Sequence, residues 1–442
     1  MTISVLVKGG LILDPSSAIK AVLDLRIVEG LIAAMGADLA PEADEEVLDA
    51  SGLWITPGFI DLHTHLRDLG QADREDIDTG TKAAAAGGYT TVVAMANCEP
   101  PVDSAAILSL VLHKIESRAH IDVLPVACVT KSMAGLELTN MVELAEMGAA
   151  AFSDDGLPVS NLGLLRRALE YARLADRPII SHPEDKDLSA LGVMHESQAA
   201  TRLGLPGIPA ASETAAVARE IEVVRQTGGR LHFAHISCAH SVELIRQAKA
   251  ERLPVTADVT PHHLALTVED IPGYDTAYKM NPPLRTKADQ TALVAGLSDG
   301  TLDAIATDHA PHTKLDKDKP FDEAPFGVIG LETAFPVALA RLVGSGKLPE
   351  LEFIALFTSR AAAALGLPCP AVKVGSPADL AVFAPEHRWL YNASRGFSRS
   401  HNSAFNGQQL TGKSLITLYQ GKAVYKDEQL LAGRLHSARM AV

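Results

Sequence analysis

Basic residues are in deficit in this 442-residue chain, where 39 Lys and Arg stand against 54 Asp and Glu for a formal net charge of -15. A surface that grips nucleic acid or an anionic membrane needs clustered Lys and Arg, so the balance argues against both partners and for a small molecule. Cysteines number only four, Cys98, Cys128, Cys238 and Cys369, and none shares a C-x-x-C spacing. That excludes a zinc knuckle or a disulfide framework and leaves reduced thiols. No stretch approaches the roughly 20 apolar residues of a membrane span. The opening "MTISVLVKGGLILDP" has no basic lead, and its apolar run is broken by Lys8, Gly9 and Gly10, unlike a secretory signal. A cytoplasmic location is expected. Neither a G-x-S-x-G elbow nor a Walker loop occurs, which argues against serine-nucleophile and phosphoryl-transfer chemistry.

What is present has the texture of an ordinary globular chain, 47% hydrophobic and 21% charged, and it is long enough for a large domain plus a smaller one. Between about residues 54 and 312 a short apolar run, a polar residue at its end and a helical segment recur. The runs are "WITPGFIDLH", "YTTVVAMAN", "IDVLPVACV", "GAAAFSDDG", "RPIISHPED", "RLHFAHIS", "LPVTADVTPHH" and "DAIATDHAPH". Between them, "SNLGLLRRALEYARLAD" and "SETAAVAREIEVVRQTG" carry apolar residues at helix spacing and open on Ser or Asn, which are good N-caps. Near-continuous apolar strands alternating with helices predict a parallel sheet buried on both faces. Eight such units predict an α/β fold, a TIM (β/α)8 barrel with its chemistry at the C-terminal strand ends. A doubly wound sheet would want a Gly-rich phosphate turn after the first strand, and none is there. Residues 1–53 and 370–442 are short strands punctuated by Gly and Pro, each too short to make a sandwich alone. They are expected to combine into one small β-sandwich-like domain beside a barrel of residues 54–369.

The segment "GFIDLHTHLRD" ends the first run on two histidines and an arginine. Strand alternation would place Asp61, His63, His65 and Arg67 on one face. Later strand ends add Asp154 and Asp155, His182, His235, His262 and His263, then Asp308 and His309. Such residues converge only if the barrel closes, and imidazole with carboxylate is a transition-metal ligand set. Spacing does not choose among His235, His262 and His263, nor between Asp154 and Asp155. Asp61 is equally a residue that orients a histidine from behind. The charged run "KLDKDKPFDEAPFG" reads as a solvated loop, or as a lid over the barrel mouth.

The motifs "PGFIDLHTHLRD", "REDIDTGTKAAAAGGYTTVVAM", "FSDDG", "VTPHHLALT", "YKMNPPLR", "ATDHAPH" and "EAPFGVIGLETAFP" resemble, in order and spacing, the dihydroorotases of the bacterial long-chain type, within the amidohydrolase superfamily. The resemblance covers essentially the whole chain. It implies two Zn2+ ions per chain, one held by His63, His65 and Asp308 and the other by His182 and His235, with Asp155 as the bridge in place of a carboxylated lysine. It implies substrate contacts from His65, Arg67, Asn97 and His312, with Asn281, Phe326 and Gly327 closing around a ring. The implied reaction is reversible interconversion of dihydroorotate and N-carbamoyl-aspartate in pyrimidine synthesis, with a hydroxide shared by the metals as nucleophile and Asp308 as general acid and base. A homodimer and association with aspartate transcarbamoylase are compatible with it. Its rivals are a dihydropyrimidinase or hydantoinase, against which Arg67 speaks, and a non-catalytic scaffold for aspartate transcarbamoylase, against which the full ligand set speaks. The chain departs from the family's M-P-N-T at "MANC", where Ala96 stands beside Asn97, and from its E-P-G at Asp68-Leu69-Gly70.

Overall fold

The apolar run from Trp54 to Thr64 is not one strand but two, and Gly58 divides them. In this computed structural model, which describes residues 4–43, 45–432 and 434–437, a Cβ at Gly58 would lie within 2.7 Å of three side-chain atoms of Thr90, so only glycine lets the chain pass. The first half, Trp54–Pro57, pairs in parallel with Ser4–Asp14 and antiparallel with Leu380–Leu390. It therefore stitches the two termini into a single nine-stranded, mostly antiparallel sheet that extends past residue 53. Sequence reading missed the split because both halves are buried and apolar, and period alone does not reveal a change of sheet.

The second half, Phe59–Thr64, is the first of eight parallel strands. The others are Tyr89–Ala94, Asp122–Ala127, Ala151–Phe152, Ile179–Ser181, Leu231–Phe233, Val255–Val259 and Ala304–Ile305. They are hydrogen-bonded in chain order. Between the eighth and the first, Thr64 bridges His309, and Asp61 accepts hydrogen bonds from Thr307 N at 2.8 Å, Thr307 Oγ1 at 2.5 Å and Thr64 Oγ1 at 2.6 Å. Asp61 thus closes the barrel and does not orient a histidine ring.

The helices bury one stripe against this sheet. Leu162–Leu174 is capped by Asn161, which accepts from Leu164 N, and buries Leu164, Leu165, Ala168, Leu169 and Ala172. Ala211–Thr227 starts earlier than its serine suggests: Ala210 sits at the cap, and Ser212 lies in the first turn, where its carbonyl accepts from Asp185 N. At the barrel floor Phe59 stacks on Phe357 and on Phe383 of the terminal sheet, with ring centroids 4.7 and 4.9 Å apart. Each buried ring is worth about 1.5–3 kcal/mol, which welds sheet to barrel.

One segment assigned by sequence to the small domain leaves it. Between Leu380–Leu390 and Gln409–Tyr419 the chain climbs to the C-terminal end of the barrel. There Ser398 Oγ and Arg399 N donate to the buried Glu75, and Asn402 reaches Ala310, His312 and Gly327. No helix among the described residues is long and apolar enough to cross a membrane.

Candidate active site

The first barrel strand ends at Thr64, one residue short of His65, and the pleat that would align Arg67 with the histidines ends with it. Arg67 instead enters the site from a turn with φ 53. His235 and Asp308 also sit in the left-handed region, at φ 40 and 46. Non-glycine residues held there carry strain, and such strain collects where side chains must be aimed.

Around these residues the strand ends bring ligand-type atoms together. Those of His63, His65 and Asp155 lie within 4.8 Å of one another, as do those of Asp155, His182 and His235, so Asp155 belongs to both groups. Asp308 Oδ1 is 3.2 Å from His65 Nε2 and 3.6 Å from His63 Nε2. The outward nitrogens are fixed from behind. His65 Nδ1 donates to Asn97 Oδ1 at 2.8 Å, and His182 Nε2 donates to Glu184 Oε2 at 2.9 Å. That turns His65 Nε2 and His182 Nδ1 inward as lone-pair donors. Asn97 also donates to Asp155 Oδ2 at 3.0 Å, so Ala96 in the family's proline position does not leave it loose.

Several polar atoms of the cluster are buried and unmatched: Nε2 and Nδ1 of His63, Nδ1 of His235 and Oδ1 of Asp155 have no hydrogen-bond partner, and of these His63 Nε2 and Asp155 Oδ1 face each other at 3.5 Å. Unmatched buried polar atoms are costly unless something else occupies the space between them. Burial opposes charge on His63, yet the Asp155 and Asp308 carboxylates outweigh it and lift the imidazole to about 9. Burial would likewise raise Asp155, but His63 and His235 hold it well below the usual carboxylate range. A pocket that pulls positive charge this strongly, built of imidazoles and carboxylates, fits divalent metal ions.

The remaining strand-end residues do other work. Asp154 turns away to accept from Val129 N, Thr130 N and Thr130 Oγ1, and burial raises its carboxyl to about 6. His263 is held between Thr260 Oγ1 and Pro282 O, and His309 between Glu75 Oε2 and Gly330 N. His262 shares the short helix Pro261–Ala265 with His263, outside both ligand groups.

Beside the metal-type cluster opens a cleft of about 410 Å3 whose walls include Arg67, Asn97, Asn281, Phe326 and Gly327. The Arg67 guanidinium has no ion pair or hydrogen bond among the described residues, and its Nε is buried. Burial, then the neighbouring Arg74, lowers its pKa. His312 does not line the cleft but stands behind it, donating from Nε2 to Phe326 O at 2.8 Å. Burial, then Arg67, pulls it down to about 3, so it is neutral. Gly327 has φ 134, and a Cβ there would lie 2.8 Å from Ala310 O. A larger cavity, about 860 Å3, opens at the opposite end of the barrel near Asp122, Arg177 and Arg230, far from the strand ends where barrel chemistry resides.

Sequence reading missed two residues here. Glu184, two positions after His182, also accepts from Asn281 Nδ2 at 2.9 Å and Lys186 Nζ at 2.6 Å, and the H-x-E spacing in "SHPED" was its signal. Asn402 carried no signal in the irregular stretch "SRSHNSAFNG".

The chain is similar to known proteins over most of its length. Residues 52–241 match the family described as Dihydro-orotase-like. Dihydroorotase of Geobacter sp. (strain M21) is 45% identical over 423 residues, 96% of this chain and 99% of that protein. Dihydroorotase of Pelotomaculum thermopropionicum is 46% identical over 422 residues, 96% of this chain and 98% of that one. Among solved structures, L-hydantoinase (dihydropyrimidinase) from Arthrobacter aurescens superposes with a TM-score of 0.85 at 26% identity, covering 96% of each chain.

Proposed function

Because the chain belongs to the dihydroorotase family of the amidohydrolase superfamily, and so hydrolyses cyclic amides, we propose that its substrate pair is dihydroorotate and N-carbamoyl-aspartate. The observation that carries this choice is the unpaired Arg67 in the wall of the cleft. A half-buried guanidinium without a carboxylate partner is costly, and a ring bearing an acid group supplies that partner through two parallel hydrogen bonds.

His63, His65, Asp308, His182 and His235 would hold two zinc ions, with Asp155 shared between them. Bound divalent ions supply Lewis acidity and lower the pKa of water, which is what amide hydrolysis at neutral pH needs. The protein's part is positioning and proton transfer. Arg67 and Asn97 face the carboxylate end of the ring, Asn281, Phe326 and Gly327 hold its flank, and His312 supports that wall from behind through its hydrogen bond to Phe326 O. Burial would raise the Asp308 carboxyl, but His65, with Nε2 3.2 Å from Oδ1, and His63 outweigh it and keep the group ionised. It is free to take a proton from the attacking water and return it to the leaving ring nitrogen. In ring closure the same carboxylate acts in the opposite order.

The solved hydantoinase favours a second reading, a cyclic amidase for uncharged rings. Assaying the purified enzyme on dihydroorotate, dihydrouracil and hydantoin side by side, with zinc measured in the same sample, separates the two. Faster turnover of dihydrouracil than of dihydroorotate would overturn the proposal.

A further inference from the structure

Two lysines are buried under the strap that runs from Thr313 to Gly327, and neither has a carboxylate partner among the described residues. Lys317 Nζ donates to three backbone carbonyls, Pro325 O and Gly327 O at 2.9 Å and Lys279 O at 3.3 Å. Lys279 Nζ donates to Phe321 O at 2.6 Å and Asp322 O at 3.1 Å, and lies 4.7 Å from the ring centroid of Phe326. The two share a junction, since Lys279 O also accepts from Gly327 N at 2.9 Å. Burial and the nearby Lys279 pull Lys317 down to about 7.

Packing alone does not explain this. A leucine or methionine would fill the space without desolvating a charge, whereas an ammonium spreads donors over carbonyls from separate loops. The carbonyls chosen belong to residues 279, 325 and 327, which flank Asn281 on one loop and Phe326 on the other. Helix Lys314–Lys317 is itself tethered, because Asp316 accepts from Arg74 Nε at 3.0 Å and Lys317 O accepts from Thr276 Oγ1 at 2.6 Å.

We propose that Lys317, supported by Lys279, is a positioning residue that locks the 313–327 strap to the 276–282 loop and so sets where Phe326, Gly327 and Asn281 meet the substrate ring. The strap is a fixed wall of the cleft and not a mobile lid. The inference rests on the proposed role of those three residues in holding the ring.

Lys317→Met in the metal-loaded enzyme tests it. The expected result is full metal content, amide exchange accelerated about tenfold or more across residues 321–327 but not in the barrel strands, and a KM for dihydroorotate raised about tenfold with kcat within about threefold of the parent. Lys279→Met should give the same pattern, and the double variant less than the product of the two effects, because both act through one strap. Unchanged exchange and KM in a folded Lys317→Met would overturn the proposal. So would loss of protection throughout the barrel together with loss of metal, which would make Lys317 a general structural residue. If Lys317→Met does not fold, Lys279→Met carries the same readouts. Failure of the substrate assignment looks different: the parent enzyme would not turn over dihydroorotate, while the exchange measurement would still decide whether the lysines lock the strap.

Discussion

Oδ1 of Asp155 lies 3.5 Å from Nε2 of His63, and although both atoms are buried neither has a hydrogen-bond partner. Asp155 also comes within 3.7 Å of His182 Nδ1 and 3.9 Å of His235 Nε2. A single carboxylate so placed between two histidine pairs is the arrangement two cations need.

Elemental analysis of the fully active enzyme is therefore expected to give two divalent ions per chain, and one would refute the shared role of Asp155. Asp155→Ala should lose both ions and Asp154→Ala neither, since Asp154 is turned toward the Val129–Thr130 backbone. Reconstitution should proceed without bicarbonate, because a carboxylate side chain already stands where some relatives need a modified lysine.

Arg67→Met should keep both metals and lose ~30- to several-thousand-fold in kcat/KM for dihydroorotate, the equivalent of about 2–5 kcal/mol for leaving a bound carboxylate unpaired. Activity on dihydrouracil should change little. Equal loss on both substrates, measured in parallel, would make Arg67 a structural residue and revive the hydantoinase reading.

Arg67 reaches the cleft by a route its sequence pattern does not describe. Alternation along a strand selects it, but the strand stops at Thr64, and the residue arrives through a left-handed turn. The histidines were legible because a closed parallel barrel gathers its strand ends, whatever the detail of each strand. Asp155 and Asp154 were not separable on that ground. Their strand is only Ala151–Phe152, and a pleat of two residues sets no face for the loop beyond it. Asn402 was invisible because its role comes from tertiary contacts with residues 75 or more positions away.

Asn402→Ala removes one acceptor and two donors at once, stranding His312 N and Ala310 O and leaving Gly327 O with Lys317 Nζ as its remaining donor. A stability loss of about 2–4 kcal/mol in denaturant titration is expected. KM should rise as well, since His312 and Gly327 shift together. A variant with lowered stability and unchanged KM would show that the segment braces the fold without shaping the cleft.

Glu220, on Ala211–Thr227, is buried with Oε2 unpartnered, and burial raises its carboxyl from 4.5 to about 7. A raised folded-state pKa means the native protein holds this proton more tightly than the unfolded chain does. The resulting stabilisation is complete below about pH 4.5 and is lost as pH climbs through about 7. Glu220→Gln should flatten that part of the stability profile, so that its stability relative to the parent improves by up to about 3 kcal/mol between pH 4.5 and pH 8. Denaturant midpoints across the range would check this. An unchanged slope would mean that Glu220 titrates alike in both states.

The excursion of residues 391–408 to the barrel mouth ties assembly to synthesis. All eight barrel strands have left the ribosome well before Asn402 is translated, about nine-tenths of the way along the chain. A nascent barrel can gather its histidines early, but His312 N and Ala310 O lack their Asn402 partner until the last tenth of the message is being read. The hydrogen bonding behind the cleft is thus completed late in the life of the polypeptide, and an amputated barrel ending at residue 369 would inherit the ligands without Asn402.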